Sequence, residues 1–127
     1  MLDMEKAYDR VHPGYLSAVL SKLGFSERLV RIIDSLFFRT KVTINLNGHL
    51  APSFTQRRGL RQGDPLSPLL FNVALEPLLR SMDKHPGIRG IQITPASRPV
   101  PFTAYADDVL LYLNDPMEWH RVRVLLT

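Results

Sequence analysis

The sequence predicts an α+β fold in which helices pack on an antiparallel sheet. Three observations carry that expectation. Apolar residues recur at helical spacing early in the chain, alternate with polar ones from Val42 to Leu46, and return to helical spacing after Ser67. Asn47-Gly48 follows the alternating run, and this pair is the strongest short signal for a hairpin because both turn positions need positive φ. Two further apolar runs, Ile88 to Thr94 and Phe102 to Leu113, read as strands separated by a proline-rich loop.

Each element has its own justification. Leu2-Asp3 reads as the end of a first strand with almost no lead-in. Pro13 suits a first helical position, where its missing N–H costs nothing. Tyr15, Leu16, Val19, Leu20 and Leu23 then repeat at helical spacing, and Gly24 reads as a stop. Ser26 is placed to cap a second helix. Leu29, Val30, Ile33, Leu36 and Phe37 share one face of that helix, with Arg28, Arg31 and Asp34 on the other. Val42, Ile44 and Leu46 alternate with Thr43, Asn45 and Asn47 as a half-buried strand, with a return strand over Leu50 to Gln56. The polar stretch from Arg57 to Asp64 is a loop. Ser67-Pro68 reads as the cap and first residue of a third helix. Leu69 to Met82 make it apolar over much of its circumference, so a central, buried helix is expected, kinked or ended early by Pro77. A last helix starts near Trp119.

Composition bounds the function. The 127 residues suffice for one small domain, taken as 1–127, and 45% of them are apolar. No apolar run is long enough to cross a membrane, and Asp3 and Glu5 interrupt the start where a secretory signal would sit. The absence of cysteine excludes disulfides, thiolate metal sites and a cysteine nucleophile. Sixteen Lys and Arg against twelve Asp and Glu give a net charge of +4 and a pI near 9.8. That balance suits a polyanionic partner, and it equally suits a solvated surface with a few extra arginines. Nothing implies an oligomer. His12, His49, His85 and His120 are scattered, and Trp119 reads as packing.

The chemistry concentrates in Tyr105-Ala106-Asp107-Asp108, between two strand-like runs. Adjacent carboxylates at a hairpin tip repel each other unless they are solvated or neutralised by a cation. Mg²⁺ is the natural choice, since it takes a few carboxylates and keeps other positions for water and phosphate oxygens. An ordinary exposed turn also favours Asp. A second acidic group, Asp3 with Glu5 and Asp9, shifts the balance. If the first strand pairs beside the hairpin, Asp3 joins Asp107 and Asp108. Three carboxylates can hold two ions about 3.5–4 Å apart, the arrangement that clamps both oxygens of an in-line phosphoryl transfer.

Leu2-Asp3-Met4-Glu5-Lys6-Ala7-Tyr8-Asp9-Arg10-Val11 resembles the first palm motif of the reverse transcriptases of non-LTR (LINE-type) retrotransposons. The long run from Arg58 to Asn72, with Gln62-Gly63-Asp64-Pro65-Leu66-Ser67-Pro68 at its centre, resembles the second motif, and Tyr105-Ala106-Asp107-Asp108 the third. The motifs stand in the family's order and cover nearly the whole chain. The resemblance implies a polymerase palm and RNA-directed DNA synthesis with two Mg²⁺ ions, Mn²⁺ being an alternative. The partners would be an RNA template, a DNA primer and dNTP. Asp3, Asp107 and Asp108 match the catalytic, metal-holding carboxylates, and the Met4 carbonyl would join them as a ligand. Tyr8 matches the aromatic gate against a ribose 2′-OH. Gln62 and Gly63 match the loop against nucleotide and template, where Gly63 would allow close backbone approach. Arg57, Arg58 and Arg61 surround that loop as candidate nucleic-acid contacts.

The family pattern has more before Asp3 and after Thr127: a fingers region, a primer grip and a thumb. The expectation is therefore an incomplete palm, truncated at both ends and inactive by itself. The location expected from the resemblance is intracellular, in the nucleus. The alternatives are a non-enzymatic retroelement relic that at most binds nucleic acid, and a reverse transcriptase of the group II intron maturase or retroviral type. The Asp64-Pro65-Leu66 between Gly63 and Ser67 looks more like the non-LTR form.

Overall fold

The computed structural model describes residues 1–126 as a mixture of helices and short antiparallel strands. Their packing divides the chain into two compact units, Lys6–Ala74 and Met1–Glu5 together with the chain from Leu75 onward.

In the unit Lys6–Ala74, a short α1 (Ala7–Arg10) leads into α2 (Pro13–Lys22) and α3 (Glu27–Phe38). Proline occupies the first position of α2, and His12 Nδ1 accepts the Gly14 N–H at 3.2 Å. Gly24 ends that segment at φ 90°. Ser26 Oγ accepts the Leu29 N–H at 3.4 Å, so the expected cap of α3 is present. Leu16, Val19 and Leu20 of α2 and Val30, Phe37 and Phe38 of α3 are buried. Each fully buried large apolar side chain of this group contributes about 1.5–3 kcal/mol. Tyr15 donates its hydroxyl to the Ala74 carbonyl at 2.9 Å, and burial raises the phenol's pKa. The expected apolar face of α3 is only partly buried. Val30 and Phe37 of that face are buried, Ile33 is half-buried, and Leu29 and Leu36 remain exposed.

The period-two segment forms a hairpin, but a broken one. Strands β1 (Lys41–Val42) and β4 (Phe54–Thr55) pair, and β2 (Asn45–Leu46) pairs with β3 (His49–Leu50) around the Asn47-Gly48 turn. Two residues separate β1 from β2, whereas three separate β3 from β4. The extra residue lies beside Pro52, which has no N–H for the ladder, so the register slips by one as in a bulge. Among the described residues the expected single sheet is corrected to three two-stranded ones. These strands are mostly exposed, so no packed face enforces a longer ladder.

Helix α4 (Ser67–Lys84) runs through both units and through Pro77 without ending early. Only one N–H is lost there, and Ser81 Oγ donates to the Pro77 carbonyl at 2.8 Å. It is amphipathic and not buried all round: Leu70, Phe71, Ala74, Leu75 and Met82 are buried, while Leu69 and the Arg80–Glu76 ion pair are exposed. Ser67 is not its cap. Its hydroxyl is buried with no hydrogen-bond partner among the described residues. Asp64 opens the helix instead, accepting the Leu66 N–H on Oδ1 at 2.9 Å and the Ser67 N–H on its carbonyl at 3.1 Å.

In the other unit, Met82, Ile88 and Val122 form a core against Leu2, Leu78, Phe102, Leu111, Leu113 and Leu125. Strands β5 (Phe102–Tyr105) and β6 (Asp108–Leu111) make a regular hairpin. The expected strand over Ile88 to Thr94 reduces to a single bridge between Ile91 and Val100, since prolines at 95, 99 and 101 deny the ladder its donors. Helix α5 (Pro116–Leu126) starts on Asp115, whose Oδ1 accepts the Glu118 N–H at 3.0 Å. Glu118 is buried, and its two oxygens accept the Arg89 N–H at 3.3 Å and the Asn114 N–H at 3.1 Å. Asn114 Nδ2 in turn donates to the Gly90 carbonyl. A polar clamp thus ties the start of α5 to a segment far away in sequence. No helix among the described residues is long and apolar enough to cross a membrane.

Replacing Glu118 by alanine strands buried N–H groups, so the urea midpoint is expected to fall by the equivalent of about 1–3 kcal/mol. Glu118→Gln should recover only part of the loss, because one of its terminal atoms is a donor facing another donor.

Candidate active site

The hairpin β5–β6 turns through Ala106 and Asp107, with Tyr105 paired to Asp108. Ala106 has φ 52°, a left-handed conformation that costs an L-residue about 1–2 kcal/mol. So tight a reversal puts two carboxylates at the tip, Asp107 half-buried and Asp108 exposed. The residue after Asp108 is fixed from both sides. Val109 is fully buried, pairs with Ala104 across the hairpin, and exchanges both backbone hydrogen bonds with Leu2 at 2.7 and 3.2 Å. That antiparallel bridge sets Asp3, one residue on, beside Asp108, one residue back. Neighbours in such a register have Cβ atoms about 4.5–5.5 Å apart. The pairing that would bring the amino-terminal acid to the hairpin is therefore present.

The donor set suits a hard divalent cation: three carboxylates, with the Met4 carbonyl next in the chain, and no sulfur or imidazole among them. Among the described residues no three acidic or imidazole side chains close on one point tightly enough to hold an ion. The backbone gathers these residues at one end of the hairpin, while their mutual repulsion favours side chains that stand apart.

The residues expected to face nucleotide come together within the unit Lys6–Ala74. Tyr8 lies on α1, its ring stacked on Phe71 with centroids 4.8 Å apart and planes 13° from parallel. The α1 backbone is stitched to the loop before α4. Leu60 donates its N–H to the Tyr8 carbonyl at 2.8 Å, and Gly59 to the Val11 carbonyl at 2.9 Å. Gly59 is required there, since a Cβ would sit 3.0 Å from the Asp9 carbonyl oxygen at φ 85°. Gln62 and Gly63 are exposed at the loop tip. Gly63 has φ 85° with nothing within 4 Å of a notional Cβ, so its backbone angle, and not close packing, calls for glycine.

Arg57 and Arg58 are exposed, but Arg61 is not placed like them. Its Nη2 donates to the Leu36 carbonyl at 2.6 Å, and its guanidinium lies over the Phe37 ring at 5.4 Å. Sequence reasoning missed Phe71 and Gly59. Phe71 falls within the second motif and on the apolar side of α4, and no local signal shows a ring partner so distant in the chain. Gly59, by contrast, stands in a motif and could have been singled out.

A family model described as reverse transcriptase (RNA-dependent DNA polymerase) matches residues 1–126. The chain is 39% identical over 111 residues to the retrovirus-related Pol polyprotein from type-1 retrotransposable element R2 of Popillia japonica, covering 87% of this chain and 15% of that protein. It is 33% identical over 122 residues to the transposon TX1 uncharacterized 149 kDa protein of Xenopus laevis, covering 96% and 9%. With the Pol polyprotein from type-2 retrotransposable element R2DM of Drosophila melanogaster it shares 32% over 117 residues, covering 91% and 10%. The chain thus spans well under a fifth of the length of these curated relatives.

Strain at Ala106 has a direct check. Ala106→Gly is expected to be neutral or stabilising by up to about 1 kcal/mol, and the β-branched Ala106→Val to cost at least about 1 kcal/mol, in urea unfolding. A clear loss on Ala106→Gly would contradict the strained turn.

Proposed function

Because this chain belongs to the reverse transcriptase family, in its non-LTR retrotransposon branch, we propose that it is the palm portion of an RNA-directed DNA polymerase. The reaction is attack of a DNA primer 3′-OH on the α-phosphate of a dNTP, directed by an RNA template, with loss of pyrophosphate. The observation that carries this reading is the Leu2–Val109 bridge, which aligns Asp3 with the Asp107-Asp108 turn.

In this reading Asp3, Asp107 and Asp108, with the Met4 carbonyl, would hold two Mg²⁺ ions. When bound, such ions offset the negative charge that develops on the attacking and leaving oxygens. The protein's own contribution is positional. Val109 and Leu2 fix the backbone, so the acids are gathered before any ligand arrives. Tyr8, held flat by Phe71, is the gate against a ribose 2′-OH, acting by contact alone. Gln62 and Gly63 face nucleotide and template. Arg57 and Arg58 contact template or primer phosphates, with the salt dependence such contacts bring.

The test is Mn²⁺ binding to the purified chain, compared with the double variant Asp107→Asn, Asp108→Asn. Binding is expected to weaken by more than the roughly tenfold that loss of an outer-shell partner costs. The variant's melting temperature without metal should not fall, because a like-charge pair is removed. Equal Mn²⁺ affinity in both proteins would overturn the assignment of these carboxylates.

A further inference from the structure

We propose that Arg61 is a positioning residue that anchors the Gln62-Gly63 loop to the end of α3, and that it does not itself contact nucleic acid. The inference rests on the reading of that loop as facing nucleotide and template. Charge and position in the sequence group Arg61 with Arg57 and Arg58, yet its side chain makes a different set of contacts.

The guanidinium reaches the last turn of α3. Nη2 donates to the Leu36 carbonyl at 2.6 Å, beside the Thr40 hydroxyl that the same carbonyl accepts at 2.7 Å, in the last turn of α3 where a cation is also favoured by the dipole. The planar group lies 5.4 Å from the centroid of Phe37, which is almost fully buried. Its Nε is buried with no hydrogen-bond partner among the described residues. Phosphate recognition by arginine uses the fork of donors together, whereas here Nη2 is committed to a helix-end carbonyl and the plane to a buried ring.

The rest of the loop shows what the anchor achieves. Leu60 is buried and bonded to the Tyr8 carbonyl on one side of Arg61. On the far side, Asp64 opens α4 through the Leu66 and Ser67 N–H groups. Between these fixed points only Gln62 and Gly63 project, both exposed. The Arg61–Asp64 ion pair, at 4.0 Å and partly solvated, adds little. The contacts to α3 therefore set where the tip stands.

Two measurements on the whole chain test this. In amide hydrogen exchange, Arg61→Gln and Arg61→Lys should both speed exchange at residues 60–66 by about tenfold or more, with α2 unchanged. Lysine keeps the charge but has neither the fork nor the plane. In binding to a single-stranded oligo(U) RNA, the slope of log K against log salt should be the same for Arg61→Gln as for wild type. Arg57→Gln or Arg58→Gln should each reduce it by about 0.7. Unchanged loop exchange in Arg61→Gln would overturn the proposal. So would a slope reduced by about 0.7 in Arg61→Gln and restored in Arg61→Lys, or exchange raised throughout α2 as well. If wild type does not bind the RNA, the nucleic-acid reading of the preceding section fails, and the exchange measurement alone decides the anchor.

Discussion

Carboxylates repel one another, so nothing in the side chains of Asp3, Asp107 and Asp108 can bring them together. The work falls to backbone hydrogen bonds beside them, which are indifferent to charge. Leu2 and Val109 supply those bonds, and Val109 can do so because it is completely buried and already paired across the hairpin. The apolar residues next to the acids are thus as necessary to the arrangement as the acids themselves. The core of Met82, Ile88 and Val122, to which Leu2 and Leu111 contribute, extends that support from the bridge into the unit.

The same division of labour recurs in the unit Lys6–Ala74. Tyr8 is oriented by a ring below it and by the Leu60 N–H on its carbonyl, not by any polar contact of its hydroxyl that the assignment requires. The loop bearing Gln62 and Gly63 is held at its base by apolar burial and by Arg61. Asp107-Asp108 in one unit and Gln62-Gly63 in the other stand at reversals of the chain. The residues that hold them there are buried within a few positions. This is how a rigid scaffold carries reactive groups on loops.

Much of this was legible in the sequence where a local rule decides the outcome. Pro13, Ser26, the Asn47-Gly48 turn and the acid-bearing hairpin all follow from chemistry within a few residues. What was not legible depends on distant partners. The single sheet was over-read because alternation suggests a strand but cannot show that a neighbour exists to lengthen it, and Pro52 interrupts the ladder. Ser67 looked like a cap by type, yet Asp64 reaches the free N–H groups first. Arg61 looked like its neighbours by charge, and only its contact with Leu36 and Phe37 separates them.

Glu118 has a consequence for how the chain reaches this state. Its carboxylate can leave water only when the N–H groups of Arg89 and Asn114 are both in place, since an unpaired buried charge would cost several kcal/mol. Those two donors bracket the hairpin that carries Asp107 and Asp108. Docking of α5 and closure of the loop that contains the acids therefore favour each other: seating the helix before the loop has closed would leave this carboxylate without a donor.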